Sequence, residues 1–228
     1  MKIDSSVNWY IDYNYEHFDS ATGRMVGTLR IPCFLVHNNV RVDSRSILHD
    51  TLDYVEKELL ELFKKHPQIA GLEHISGEDI EKIIFTCATE LEFWVKSPRE
   101  DAPIEALSSS QMMQEQYWQR CRGNVRTALE QTVEMLEAYG LGPEMGHKEC
   151  GGVRGQIDDN GHMTHVMEQL EVDWKYSYGV QTADNELLAR IIVKEIFRLN
   201  GLKFPSRQNL FRALLAAANI PTLALPPK

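Results

Sequence analysis

The sequence lacks most of what marks a membrane, secreted or nucleic-acid-binding chain. Among its 228 residues no apolar run is long enough to span a bilayer. The amino-terminal stretch MKIDSSVNWYIDYNYEHFD is polar and aromatic and holds no apolar core of an export signal. Its four cysteines, Cys33, Cys87, Cys121 and Cys150, form no C-x-x-C pair and no framework spacing. A disulfide scaffold and a zinc finger are therefore excluded, and reduced thiols in a cytoplasmic protein are expected. Positive charge is scarce: 24 Lys and Arg against 33 Asp and Glu give a formal charge of -9 and a pI near 5.4. A nucleic-acid backbone needs clustered cations, so neither nucleic acid nor membrane is an expected partner, although a local phosphate site remains compatible. Internal repeats and low-complexity tracts are also missing.

What is present is 43% hydrophobic and 25% charged, the makeup of one large globular domain or two small ones. From Trp9 to His37 aromatic and β-branched residues alternate with polar ones around a turn at Ser20-Ala21-Thr22-Gly23, which predicts strands joined as a hairpin. From Arg41 to Phe63 the period becomes helical. Asp43 or Ser44 can cap this helix, with Ile47, Leu48, Leu52, Val55, Leu59, Leu62 and Phe63 facing inward and Asp50, Asp53, Glu56, Glu58 and Lys64 facing water.

Lys82 to Lys96 is rich in β-branched and aromatic residues and is closed by Ser97-Pro98, so it reads as a strand. Leu107 to Tyr139 reads as one or two helices, with Gly123 as a break and Gly140 as a stop. Gly142 to Arg154 and His162 to Tyr176 then face each other as strands across the turn Asp158-Asp159-Asn160-Gly161. Thr182 to Asn200 is an amphipathic helix with Leu187, Leu188, Ile191, Ile192, Ile196 and Phe197 inward and Gly201 as its cap.

Two groups of carboxylates carry the candidate chemistry. Strand side chains alternate faces, so Glu90 and Glu92 point one way while Leu91 and Phe93 point into the core. Neighbouring carboxylates repel unless a cation neutralises them, and hard divalent cations take such oxygen ligands. An E-x-E pair alone fits a solvated strand equally well. The second group lies on the hairpin, with Glu144, His147 and Glu149 on one strand and Glu168, Glu171 and Asp173 on the next, where pairing can bring Glu149 to Glu171. Gly151-Gly152 directly afterwards suggests a bulge or a close backbone approach. By themselves these residues read either as a divalent metal site or as an acidic surface.

The order of the pieces resembles the catalytic domain of the glutamine synthetases from about Arg41 to Lys203. ELEFWV looks like that family's paired-glutamate strand, PEMGHKECGG like its strand with a Glu followed by His-x-Glu, and EQLEVDWKY with ADNELLARIIVKEIFRLNG like its following strand and helix. VGTLRIPCFLVHNNVRVDSRSIL is similar to the junction between the small β-grasp domain and the catalytic domain. The resemblance implies an α+β fold, a curved antiparallel sheet with covering helices.

It also implies an ATP-dependent ligase that condenses glutamate with ammonia through γ-glutamyl phosphate and uses two Mg²⁺ or Mn²⁺ ions. Carried over by position, Glu92, Glu149 and Glu171 would hold one metal and Glu90 the second. Glu144 and His147 match positions near the nucleotide ribose, and Tyr176 matches an aromatic near the adenine. Family members form homo-oligomeric rings with sites between subunits; for this chain such assembly is doubtful. A γ-glutamyl ligase for another amine, or a non-enzymatic metal- or nucleotide-binding remnant, is the alternative.

The family's Asp-Gly-Ser segment before the junction and its Gly-Ser-Gly-x-His-x-His loop, flap and arginines after it are not in the sequence. Residues 1–37 are thus expected to be a β-grasp remnant, 38–203 the first part of the catalytic domain, and 204–228 an aberrant tail. A reading-frame slip accounts for that tail. If each hidden codon takes its first base from the wobble position of one residue and the rest from the next residue, the genetic code permits PKQAKPVPGVAGSGEHTHAGVAAK from Phe204 onward. That string restores the missing His-x-His loop. A truncated chain, inactive alone, is the resulting expectation, and a carboxyl-terminal helix over Ser206–Ala218 is the competing one.

Overall fold

Asp43 is extended (φ -113°, ψ 164°), and its carboxylate accepts the N–H of Ser46 at 2.8 Å. This satisfies an orphan donor of the first turn, and helix α1 runs from there over Ser44–Lys65. The computed structural model describes residues 1–71, 73–98, 120–205, 211–216 and 222–224. Before α1 come the strands β1 (Lys2–Ile3), β2 (Tyr10–Asp19), β3 (Arg24–Arg30), β4 (Cys33–Phe34), β5 (Val36–His37) and β6 (Val40–Arg41). After it follow β7 (Lys82–Ile84), β8 (Thr86–Pro98), helix α2 (Gly123–Ala138), β9 (Pro143–Ile157) and β10 (Met163–Trp174). The order ends with β11 (Ser177–Tyr178), helix α3 (Gly179–Leu199), β12 (Phe211–Ala216) and β13 (Thr222–Ala224).

The fold is α+β, with antiparallel sheets and covering helices. It divides into two compact units, one of Met1–Cys87, Ser177–Asp184 and Ala218–Lys228, the other of Ala88–Tyr176 and Asn185–Ala217.

In the first unit β2 and β3 form the expected hairpin, closed where Gly23 (φ 68°) donates its N–H to the Asp19 carbonyl at 2.8 Å. Phe63 of α1 is buried with Ile80 and Ile83, and Leu59, Leu60 and Ile75 pack around them. The inner face expected for α1 is thus only partly right. Ile47 is 68% exposed and Leu62 39%, because the small cluster covers one end of the helix and takes Leu60 rather than Leu62. The strand expected over Lys82–Lys96 is interrupted at Phe85, whose N–H is taken by the Glu56 carboxylate at 2.7 Å.

The second unit is built on the sheet β12-β8-β10-β9. The β9–β10 hairpin closes through Asp158, which pairs with His162 backbone to backbone and whose side chain accepts the N–H groups of Asn160 and His162. Leu91, Phe93 and Val95 of β8 and Val166, Leu170, Val172 and Trp174 of β10 are buried, as alternation requires. Phe93 meets Phe197 of α3 edge to face at 5.1 Å.

Helices α2 and α3 end alike. Gly140 and Gly201 adopt positive φ, and the next residues, Leu141 and Leu202, donate back to Leu136 and Phe197 at 3.0 Å. On α3 the expected inward Leu187 is 61% exposed, and Ala189 and Val193 hold the buried face with Leu188, Ile192, Ile196 and Phe197. The helical reading over Leu107–Tyr139 is met from Gly123 onward, where α2 begins after the non-helical residues 120–122; positions 107–119 lie outside the described residues. Of the helix expected over Ser206–Ala218, positions 206–210, 217 and 218 lie outside the described residues, and the described part is not helical. Phe211–Ala216 is a strand that hydrogen-bonds along β8, which leaves that edge paired rather than open.

Candidate metal centre

Three strands bring the carboxylates together by register alone. Glu171 on β10 is paired with Glu92 on β8 and with His147 on β9, and Asp173 is paired with Glu90. Because residues two apart share a face, Glu90, Glu92, His147, Glu171 and Asp173 belong to one side of the sheet. Glu168 does not. It has the parity of Val166 and Leu170 and is fully buried on the core side, which corrects its grouping with Glu171 and Asp173.

Glu149 reaches the same point through a bulge. Two steps along β10, from Glu168 to Leu170, correspond to five along β9, from Val153 back to Lys148. Glu149, Cys150 and the Gly151-Gly152 pair therefore sit in the irregularity that the glycines suggested. One ligand atom from each of His147, Glu149 and Glu171 lies within 4.8 Å of the others. The imidazole Nδ1 is 4.0 Å from a Glu149 oxygen and Nε2 is 3.9 Å from a Glu171 oxygen. Nδ1 also lies 2.7 Å from the Lys148 carbonyl. A carbonyl can only accept, so this contact places a proton on Nδ1 and turns Nε2 towards Glu171.

The electrostatics are those of a site short of positive charge. Burial, the hydrogen bond with Glu149 and the charges of Glu149, Glu90 and Asp173 push Glu171 up to about 9. Glu149 goes the other way: burial would raise it, but the Glu171 hydroxyl, the Cys150 N–H and His147 outweigh that and hold it below the usual carboxylate range. Glu149 and Glu171 thus hold one proton between them. Asp173 is also raised, chiefly by burial and by Glu144. Two carboxylates and an imidazole fit a divalent ion that accepts mixed oxygen and nitrogen ligands, such as Mn²⁺.

Glu92 accepts a hydrogen bond from Gln169 Nε2 at 3.0 Å and is outside the three-residue group. Glu144 is exposed and lines, with His147, Arg120, Arg126, Leu129 and Val133, a cleft of about 690 Å³ between α2 and β9. Tyr176 is 66% exposed. His147, expected beside a nucleotide, lines this cleft and also stands between Glu149 and Glu171.

The sequence reading passed over one feature on the core side. Lys148 and Glu168, 4% and 0% exposed at their side chains, meet at 2.9 Å. Their strand parity was the available signal, since both occupy core positions of β9 and β10. Cys121 lies near the pair, and burial with the Glu168 charge pushes its thiol up to about 12.

No family model and no curated protein matches the sequence. Among solved structures the chain is similar to the crystal structure of a novel glutamine synthase homolog, with 18% identity and a TM-score of 0.39. The likeness covers 88% of this chain and 39% of that one, so the chain spans well under half of its neighbour's length. Among the described residues no helix is long and apolar enough to cross a membrane.

Proposed function

We propose that the chain carries a divalent-cation site of the glutamine synthetase type, serving ATP-dependent condensation of glutamate with ammonia. The observation that carries the reading is the convergence of His147, Glu149 and Glu171 on one point across the β9 bulge. The motif resemblance had put two of these three at one metal. In this reading His147, Glu149 and Glu171 hold Mn²⁺ or Mg²⁺, Glu92 flanks it, and Glu90, paired with Asp173, belongs to a second cation. Such ions supply shielding between an anionic glutamate and the ATP phosphates. The chain's own residues bind and orient: the Lys148 carbonyl fixes the His147 tautomer, and the Gln169 amide holds Glu92. The cleft beside Glu144 and His147, with Arg120 and Arg126 among its lining residues, is the place for a nucleotide in this reading.

The test is calorimetry of the full chain with Mn²⁺, followed by ATP and glutamate titrations at saturating Mn²⁺. One saturable Mn²⁺ site, lost in Glu149→Gln, and Mn²⁺-dependent binding of both ATP and glutamate are expected. Mn²⁺ binding without either substrate would leave a bare metal-binding chain. No Mn²⁺ binding at all would overturn the site.

A further inference from the structure

Lys148 and Glu168 stand at the two edges of the β9 bulge. Lys148 pairs with Leu170 and is the last residue in regular register before it; Glu168 pairs with Val153, the first after it. Continued without a bulge, the register that sets His147 opposite Glu171 would set Cys150 opposite Glu168, and three residues are inserted instead. The ammonium and carboxylate meet at 2.9 Å on the core side of the sheet, directly beneath the point where Glu149 leaves the ladder. Beyond the Lys148 ammonium, neither Glu168 oxygen has a hydrogen-bond partner among the described residues. The ion pair is therefore what compensates this buried charge.

We infer that the Lys148–Glu168 pair fixes where the bulge begins and thereby aims His147 and Glu149 at Glu171, making both members positioning residues of the cation site. The inference rests on the cation reading above. Two facts of physical chemistry favour it over a purely structural role. Apolar residues of similar size usually serve stability as well as a buried ion pair or better, so stability does not explain the pair. A one-residue slip in a strand turns every side chain to the opposite face. Here a slip would carry Lys148 out to the ligand side and leave Glu168 charged and alone in the core, whereas an apolar pair would tolerate several registers. The two glycines after Cys150 give the bulge its freedom, and the ion pair removes that freedom at one end.

The experiment compares wild type, the apolar double variant Lys148→Met/Glu168→Leu and the exchanged variant Lys148→Glu/Glu168→Lys, each as the full chain. Urea unfolding reports the fold, Mn²⁺ titration the site, and Hα–Hα cross-peaks between residues 168 and 153 the register. The apolar variant is expected to keep its unfolding midpoint, to lose the 168–153 cross-peak and to bind Mn²⁺ about ten-fold or more weakly, the scale of effect seen when groups behind metal ligands are removed. The exchanged variant should recover the cross-peak and most of the affinity. A folded apolar variant with unchanged register and unchanged Mn²⁺ affinity would overturn the inference. If wild type binds no Mn²⁺, the cation reading fails, while the cross-peak still decides whether the pair sets the register. Should the apolar variant not fold, Glu168→Gln, which keeps an acceptor for Lys148 but no charge, supports the same comparison.

Discussion

Glu171 stands opposite His147 in the β9–β10 ladder, with Nε2 3.9 Å from its carboxylate, and opposite Glu92 in the β8–β10 ladder. A carboxylate so placed is the member of the site whose charge is least compensated. Glu171→Gln is expected to stabilise the metal-free chain by about 1 kcal/mol near neutral pH, because the neutral amide removes the cost of holding that group protonated among like charges. If Mn²⁺ binds as proposed, the same substitution should abolish the thermal shift that the ion gives wild type. Paired thermal melts of the two proteins, with and without Mn²⁺, check both effects, and an unchanged Mn²⁺ shift would count against Glu171 as a ligand.

The raised Glu171 fixes the sign of the pH dependence. Between its ordinary value of 4.5 and its folded value of about 9, the folded chain holds a proton that the unfolded chain does not. The stability from that proton is complete below the lower value and is lost as pH rises through the upper one. In the proposed cation site, Mn²⁺ would have to displace the same proton. Affinity should therefore climb about ten-fold per pH unit across the window and level off above it. Titrations in two buffers of different ionisation heat should show close to one proton released per Mn²⁺ near pH 7; no release would mean that Glu149 and Glu171 share no proton.

How much of this was legible in the sequence depended on whether the signal was local. The parity of Glu90 and Glu92, the turn at Asp158–Gly161 and the caps at Asp43, Gly140 and Gly201 are set by neighbouring residues, and the structure has them where the sequence placed them. Side-chain parity also predicts that Glu168 is buried, but a carboxylate in a core position is unexpected until its partner is known, and Lys148 lies on a different strand. The place of His147 between Glu149 and Glu171 was missed for a similar reason. Its position opposite Glu171 follows from pairing across the hairpin, and the size of the bulge, which brings Glu149 beside it, cannot be counted from Gly151 and Gly152 alone. Ile47, Leu62 and Leu187 kept helical periodicity yet remain exposed, because periodicity gives the apolar face of a helix and not how much of it is covered.

Gly77 is required for space. A Cβ added there would lie 2.0 Å from the Lys64 carbonyl oxygen and 2.8 Å from its carbon, both backbone atoms of the last turn of α1. Backbone cannot rotate away as a side chain can. Gly77→Ala should therefore cost about 1–3 kcal/mol, the usual range for overpacking. Urea unfolding is the measurement, and a midpoint within error of wild type would show that the Ser76–Asp79 turn shifts freely.

Arg45 is the charge on which the first unit turns. Its Nε and Nη2 donate to Asp4 at 3.2 and 2.8 Å, and its Nη1 and Nη2 donate to Asp184, the latter at 2.8 Å. The amino-terminal segment, the start of α1 and the start of α3 thus meet on one guanidinium, with Asp4 only 3% exposed. The two carboxylates respond differently. Burial would raise Asp4, but the Ser6 hydroxyl and N–H together with Arg45 hold it below the usual range, whereas burial keeps Asp184 above it despite Arg45. In wild type, therefore, Asp4 contributes stability that is lost on acidification, while the Asp184 contribution is lost as pH rises, and the two partly cancel. Arg45→Met removes the shared counter-charge and leaves two buried carboxylates facing each other. It should cost about 3–5 kcal/mol near pH 7, as does removing one partner of a buried ion pair. Arg45→Lys should recover only part of this, since one ammonium cannot donate to both carboxylates in the forked geometry. Without the guanidinium both carboxylates favour their protonated forms, so the folded variant takes up protons that the unfolded chain does not. Its deficit should narrow as pH falls from 7 towards 4.5, and urea midpoints of wild type and Arg45→Met at those two pH values measure this. A deficit that stays constant with pH would mean that lost packing of the arginine stem, not the unpaired charges of Asp4 and Asp184, causes the destabilisation.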